Sequence, residues 1–167
     1  HHAHIASCMG ENGIEGPVIG LAFDGTGYGP DGSIWGGEVL IVDKAEFRRA
    51  AHLSYVPLPG GDAAVREPWR SAVSYLYQTF GRDWDKQAPG LFKGKEKRKT
   101  EIVSQMITRG INCPLTSSLG RLFDGIAAIL NVRTEVSYEG QAAMELEMLA
   151  RGGSDKHYPY EWKGQDP

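Results

Sequence analysis

Residues 20–38 read GLAFDGTGYGPDGSIWGGE, and the architecture is read outward from them. Residues 18–23 are a compact apolar run, the pattern of a buried strand. Gly29-Pro30-Asp31-Gly32 is a turn signal. Ile34 and Trp35, then residues 38–42, return as a second strand that Gly36-Gly37 should break. The result is a hairpin whose turn carries Asp24 and Thr26. A third strand over residues 47–56 would complete a small antiparallel sheet. Gly25-x-Gly27-x-Gly29 is half of a dinucleotide fingerprint, but that fingerprint must open a helix and here another strand follows. No Gly-Lys-Ser/Thr is present, so a P-loop is excluded as well. What remains is a glycine turn whose backbone N–H groups can face a phosphate. Asp24 in it can hold a metal, a bridging water or a reacting group. A plain tight hairpin explains the same residues equally well.

Upstream stands His1-His2-Ala3-His4-Ile5. Residues 1–12 read as a short helix ending near Gly13. On a helix, positions three and four apart share a face, so His1 and His4 can point the same way. Two imidazoles suit a transition metal, which usually needs a third ligand, often a carboxylate. A surface or structural histidine cluster is the competing reading.

Leu58-Pro59-Gly60-Gly61-Asp62 marks a change to helical periodicity. Trp69, Ala72, Val73, Leu76, Tyr77 and Phe80 follow a start at Glu67-Pro68 and stop at Gly81. Residues 82–97 read as a surface loop, and the basic run 93–99 as a solvated, mobile part of it. Ile102, Val103, Met106 and Ile107 predict a second helix closed by Gly110. Leu122, Phe123, Ile126, Ala127 and Leu130 predict a third, which Thr116, Ser117 or Ser118 can cap. Residues 140–151 predict a fourth, stopped by Gly152-Gly153. The chain thus divides into a β-rich part over 1–60 and a mainly helical part over 61–167. Ser117, Ser118, Gly120 and Asp124 surround the start of the third helix, where an anion or a nucleotide hydroxyl is favoured. An N-cap with a dipole-stabilised Asp124 is the plainer account. Arg66 and Arg70 could neutralise a phosphate or cover a helix surface with their stems. His52 reads as structural.

The chain has 167 residues, enough for one domain with a core, and a net charge of −3. That charge argues against nucleic-acid binding, and no apolar run reaches membrane-spanning length. Cys8 and Cys113 form neither a zinc signature nor a disulfide framework. They read as buried small hydrophobes in a reducing cytoplasmic setting. Without an initial methionine, the chain reads as a piece of something longer.

Taken together, HHAHIASCMGENG, GLAFDGTGYGPDGSIWGGE, HLSYVPLPGGDAAVREPWR, RGINCPLTSSLGRLFDGIAAIL and SYEGQAAMELE resemble the HypF carbamoyltransferases, maturation factors of nickel–iron hydrogenases. The resemblance runs in order along nearly the whole chain. It implies an α/β fold, a segment of the actin/sugar-kinase/heat-shock ATPase-like architecture, related to the tRNA threonylcarbamoyl-transfer proteins. It implies phosphate binding at Asp24, Gly25, Thr26, Gly27 and Gly29. It implies ribose binding by the Gly-x-x-x-Asp pattern of Gly120 and Asp124. It also implies an iron or zinc ion on a histidine pair. The family has a further histidine just before His1, so His4 matches a ligand position directly and His1 or His2 would have to stand in for its partner. In the family, carbamoyl phosphate and ATP give carbamoyl-adenylate in a separate domain. The carbamoyl group then passes to the C-terminal cysteine of HypE, and AMP leaves. The adenylate-forming domain, a later nucleotide loop and a carboxylate ligand would lie outside these residues, so the piece alone is expected to be inactive. The other readings are an ATP-hydrolysing or kinase-like domain and a segment that docks the partner.

Overall fold

A computed structural model describes residues 1–87, 97–153 and 157–159. Helix α1 spans His2–Glu11, and β1 (Val18–Tyr28) and β2 (Ile34–Asp43) follow as the central antiparallel pair. Strand β3 is Glu46–His52 and β4 is Val56–Pro57. Then come α2 (Asp62–Arg66), α3 (Pro68–Phe80), a 3-10 turn (Gly81–Asp83), α4 (Trp84–Gln87) and α5 (Lys97–Arg109). Strand β5 (Leu115–Thr116), α6 (Leu119–Ile129) and α7 (Gln141–Ala150) complete the described chain.

The sheet is five-stranded and mixed, where a small antiparallel sheet is expected. β1 lies along one edge of β2, and β3 pairs the second half of the other edge. β5 pairs parallel to the start of β2 at Ile34 and Thr116, and antiparallel to β4. A two-residue strand carries no periodicity, so β5 leaves no mark in the sequence. The expected third strand over 47–56 is in fact two strands, β3 and β4, with different partners. Gly36 and Gly37 do not break β2, which runs unbroken through them.

Two cores hold the elements. Ile5 and Met9 of α1 pack on Ala22, Trp35, Leu40 and Val42 of the sheet. Trp69, Ala72, Val73 and Leu76 of α3 pack with Trp84, Val103 and Ala128. β1 is buried on one face only. Its inward residues are small, because α1 lies directly on them: a Cβ on Gly20 would come 2.3 Å from Ile5 Cδ1. The apolar Ile19, Leu21 and Phe23 point the other way and are exposed, contrary to the expected buried strand.

Trp84 is buried among the helices, so residues 82–87 are not the surface loop their polarity suggests. Residues 93–96 of the basic run lie outside the described residues, and Lys97–Lys99 open α5 rather than sitting in a loop. Cys8 is exposed and Cys113 half-buried, so neither is the buried hydrophobe expected. Among the described residues, no helix is long and apolar enough to cross a membrane.

Candidate functional site

The hairpin turn falls at residues 29–33, where the Gly32 N–H donates to the Gly29 carbonyl at 2.9 Å. Asp24 and Thr26 are therefore not in the turn, as the spacing suggests, but within β1. There the register against β2 shifts between Phe23 and Gly27. A bulge of this kind leaves residues unpaired and re-aims their side chains. The Gly25 N–H donates to Asp24 Oδ1 at 2.6 Å, which fixes that carboxylate to its own backbone.

The other Asp24 oxygen faces the start of α1. His4 Nε2 stands 3.6 Å from Asp24 Oδ2, and His1 Nε2 stands 3.9 Å from it. His4 is largely exposed, whereas the His1 ring is buried and neither of its nitrogens has a hydrogen-bond partner. The His1 ring presses against the bulge: a Cβ on Gly27 would meet its Cε1 at 2.2 Å. Gly29 is covered in the same way by the Trp35 indole. His2 turns away, stacking on Phe47 and meeting the Lys44 carbonyl. Among the described residues, no group of three or more His, Cys, Asp or Glu side chains is arranged to hold a metal ion.

The start of α6 reaches the bulge from the opposite side. Ser118 caps α6 by accepting from the Arg121 N–H at 3.1 Å. The same hydroxyl reaches the Asp24 and Gly25 carbonyls at 3.1 and 2.5 Å. Helix and bulge touch backbone to backbone. A Cβ on Gly120 would lie 2.8 Å from the Gly25 Cα, and one on Gly36 would lie 2.5 Å from the Asp24 carbonyl oxygen. Ser118→Ala removes the cap and both carbonyl contacts. The cap alone is worth about 1 kcal/mol, so urea denaturation should show a loss of at least that size.

Between bulge and helix lies a cleft of about 320 Å³, lined by Asp24, Gly25, Gly120, Arg121, Asp124 and Glu139 among others. Arg121 and Asp124 are both buried, with Nε and Oδ2 2.8 Å apart. The pair is close but misaligned, since neither of those two atoms makes a hydrogen bond. Burial pushes the Asp124 carboxyl up, and the Arg121 charge counters it only in part.

Behind the bulge sits a polar cluster that the sequence reading overlooks. Glu38 is fully buried, and its carboxylate accepts from Arg49 Nε at 2.5 Å and from the Ser117 hydroxyl at 2.5 Å. The Gly36 and Gly37 N–H groups also donate to it. Burial alone would push Glu38 up, and these four donors outweigh it, so the group lies below the ordinary carboxylate range. Arg49 continues to Tyr55 and Asp31, and its guanidinium lies 4.0 Å over the Trp35 ring. The Ser33 and Tyr55 hydroxyls hold Asp31 well below the usual carboxylate range. One signal was available: Glu38 shares a strand face with Leu40 and Val42 at period two, and a charge on a buried face needs a partner.

The family described as "Carbamoyltransferase, Kae1-like Domain, second subdomain" matches residues 20–166. The chain belongs to the HypF carbamoyltransferase family. It is 46% identical over 161 residues to carbamoyltransferase HypF2 of Cupriavidus necator, covering 95% of this chain and 19% of that protein. It is 48% identical over 151 residues to carbamoyltransferase HypF of Rhizobium leguminosarum bv. viciae, covering 90% of this chain and again 19% of the relative. The chain thus spans about a fifth of the length of these two HypF proteins. A crystal structure of full-length HypF in the phosphate- and nucleotide-bound form matches with TM-score 0.90 and 44% identity, over 99% of this chain and 25% of that one. The crystal structure of T. kodakarensis HypF matches with TM-score 0.83 and 40% identity, over 93% and 21% of the two chains. The α/β architecture, consistent with the actin/sugar-kinase/heat-shock ATPase-like class, is shared with these HypF structures.

Proposed function

We propose that this chain is the part of a HypF carbamoyltransferase that holds carbamoyl-adenylate while its carbamoyl group passes to the C-terminal cysteine of HypE. The product would feed cyanide-ligand synthesis in nickel–iron hydrogenase maturation, in a reducing cytoplasm. The observation that carries this reading is the meeting of His1, His4 and the start of α6 on the Asp24–Gly25 bulge. It is supported by the carbamoyltransferase relatives and by the likeness to a HypF structure in a phosphate- and nucleotide-bound form.

The step is a displacement at an acyl carbon. The HypE thiolate attacks the carbamoyl carbon, the carbon–oxygen bond to phosphate breaks, and AMP leaves with the electron pair. A thiolate does this and a thiol scarcely does, so the acceptor proton must be removed. Asp24, a half-exposed carboxylate, would take that proton or hold the reactant. Backbone around Gly25 and Thr26 would carry the phosphate, beside the N-terminal turn of α6, while Gly27 and Gly29, covered by the His1 and Trp35 rings and with the Gly29 N–H given to the Ser33 carbonyl, would shape the bulge. Gly120 and Asp124 line the adjoining cleft and would face the ribose. The Ser117 and Ser118 hydroxyls are engaged within the protein, so their part in nucleotide binding would be to shape the cleft. The nucleophile comes from HypE, which leaves Cys8 and Cys113 without a required role.

An iron or zinc ion is the cofactor this reading implies. The buried, unpartnered His1 nitrogens, with His4 and Asp24, have the donor chemistry to supply part of its coordination, although these three side chains are not by themselves arranged as a metal site. When bound, such an ion would act as a Lewis acid on the phosphate or carbamoyl oxygen. Carbamoyl phosphate and ATP would make the adenylate in another domain of the longer protein, so the 167 residues alone are expected not to turn over. The test supplies carbamoyl-adenylate and HypE to the full-length protein. AMP release matched one to one by carbamoylated HypE is expected. ADP release without carbamoylation would instead make this an ATP-hydrolysing or kinase-like domain.

A further inference from the structure

The Asp24–Gly25 backbone is not held by strand pairing, because the register breaks there. It is held by the Ser118 hydroxyl, which reaches both carbonyls. Ser118 is in turn fixed by its neighbour. The Ser117 hydroxyl donates to Glu38 Oε1 at 2.5 Å and accepts from Arg49 Nη2 at 3.2 Å. The Ser117 carbonyl lies against Gly37, where a Cβ would come within 2.4 Å of it. Glu38 therefore anchors the peptide that leads into α6, and that peptide anchors the bulge bearing Asp24. Glu38 is fully buried and touches no surface from which a reactant could reach it.

We propose that Glu38 is a positioning residue for carbamoyl transfer, acting through Ser117 and Ser118 to set where the Asp24 carboxylate stands. The inference rests on the role given to Asp24 above. A fully buried carboxylate with four donors is more than a strand needs for stability, since an apolar residue would fill the same position at no desolvation cost. Its charge instead ties β2 to the start of α6 and, through Ser118, to the bulge. Reacting groups misplaced by about 1 Å can lose on the order of 100-fold in rate.

The test uses the full-length protein with HypE and carbamoyl-adenylate, at a temperature well below unfolding, with rates normalised to the folded fraction. Glu38→Gln keeps the volume and faces an amide N–H₂ toward Arg49, so the anchor is mispaired. The expected result is a fall in kcat of about 10- to 100-fold, with KM for the adenylate within about twofold of the parent. An unchanged kcat would overturn the proposal, as would a rise in KM alone, because either result leaves Asp24 in place. If Glu38→Gln does not fold, Ser117→Ala takes its place. It leaves the Glu38–Arg49 pair intact and cuts only the link to α6, and the same kcat-only loss is expected, with a parental kcat overturning the proposal. Asp24→Ala is run alongside. Should that variant transfer normally, the role of Asp24 fails; should it be inactive while Glu38→Gln is not, only the positioning role fails.

Discussion

Asp24→Ala in the full-length protein is expected to lower carbamoyl transfer to HypE by about 100-fold or more while leaving the fold intact. A preorganised group in a site of this kind is worth about 3 kcal/mol of barrier, which sets the size. The geometry sets the direction. One Asp24 oxygen is tied to the Gly25 N–H, so the other is aimed at the His1 and His4 rings rather than swinging in solvent. The side chain is 40% exposed and fills no core, so its removal should change stability by no more than about 0.5 kcal/mol. Asp24→Asn separates charge from shape, since its amide oxygen can still accept from Gly25. If the carboxylate is needed as an acceptor or ligand, Asn should be nearly as damaging as Ala. The measurement is the rate of carbamoylated HypE formation, with hydrogenase maturation in cells as a second readout. Normal maturation by the Ala variant would remove Asp24 from the mechanism.

Much of this site was legible because it depends on short-range signals. The helix over His2–Glu11, the strand leading into Asp24 and the Ser118 cap of α6 each follow from local pattern, and the structure contains all three. What the sequence hid was long-range. The two-residue β5 joins the sheet only because β2 offers a free edge at Ile34, and nothing local announces it. Glycines mark a bulge and a turn equally well, and only the register against β2 tells them apart. Several of those glycines serve contact rather than backbone curvature. Gly27 lies under the His1 ring, and Gly36 lies against the Asp24 carbonyl, both through partners distant in sequence. Trp84 stands in a polar stretch, where one buried aromatic has no period to reveal it. Glu38 and Arg49 are 11 residues apart on strands of opposite direction, so the charge that explains the strand glutamate lies beyond any local window.

Arg49→Met is expected to destabilise the chain by about 3–5 kcal/mol at neutral pH, the usual cost of leaving one member of a buried ion pair without its partner. Methionine replaces much of the arginine stem, so the loss comes from charge and hydrogen bonds rather than from an empty space. Arg49 gives Glu38 its only charged donor and also binds Tyr55 and Asp31, so the remaining donors to Glu38 are the Ser117 hydroxyl and two backbone N–H groups. The pH dependence distinguishes this cause from simple loss of packing. In the parent, Glu38 sits below its ordinary value of 4.5 because its donors outweigh burial. Such a group contributes stability that is present above the unfolded carboxylate value and is lost as pH falls through the lower folded value. In the variant, burial faces weaker opposition, so the Glu38 pKa moves upward and ionised Glu38 becomes a burden that protonation relieves. The stability gap between parent and Arg49→Met should therefore narrow as pH falls from neutrality through the carboxylate range. Urea denaturation at a series of pH values measures it. A gap that stays constant with pH would mean that Arg49 matters for its packing against the Trp35 ring and not for the charge on Glu38.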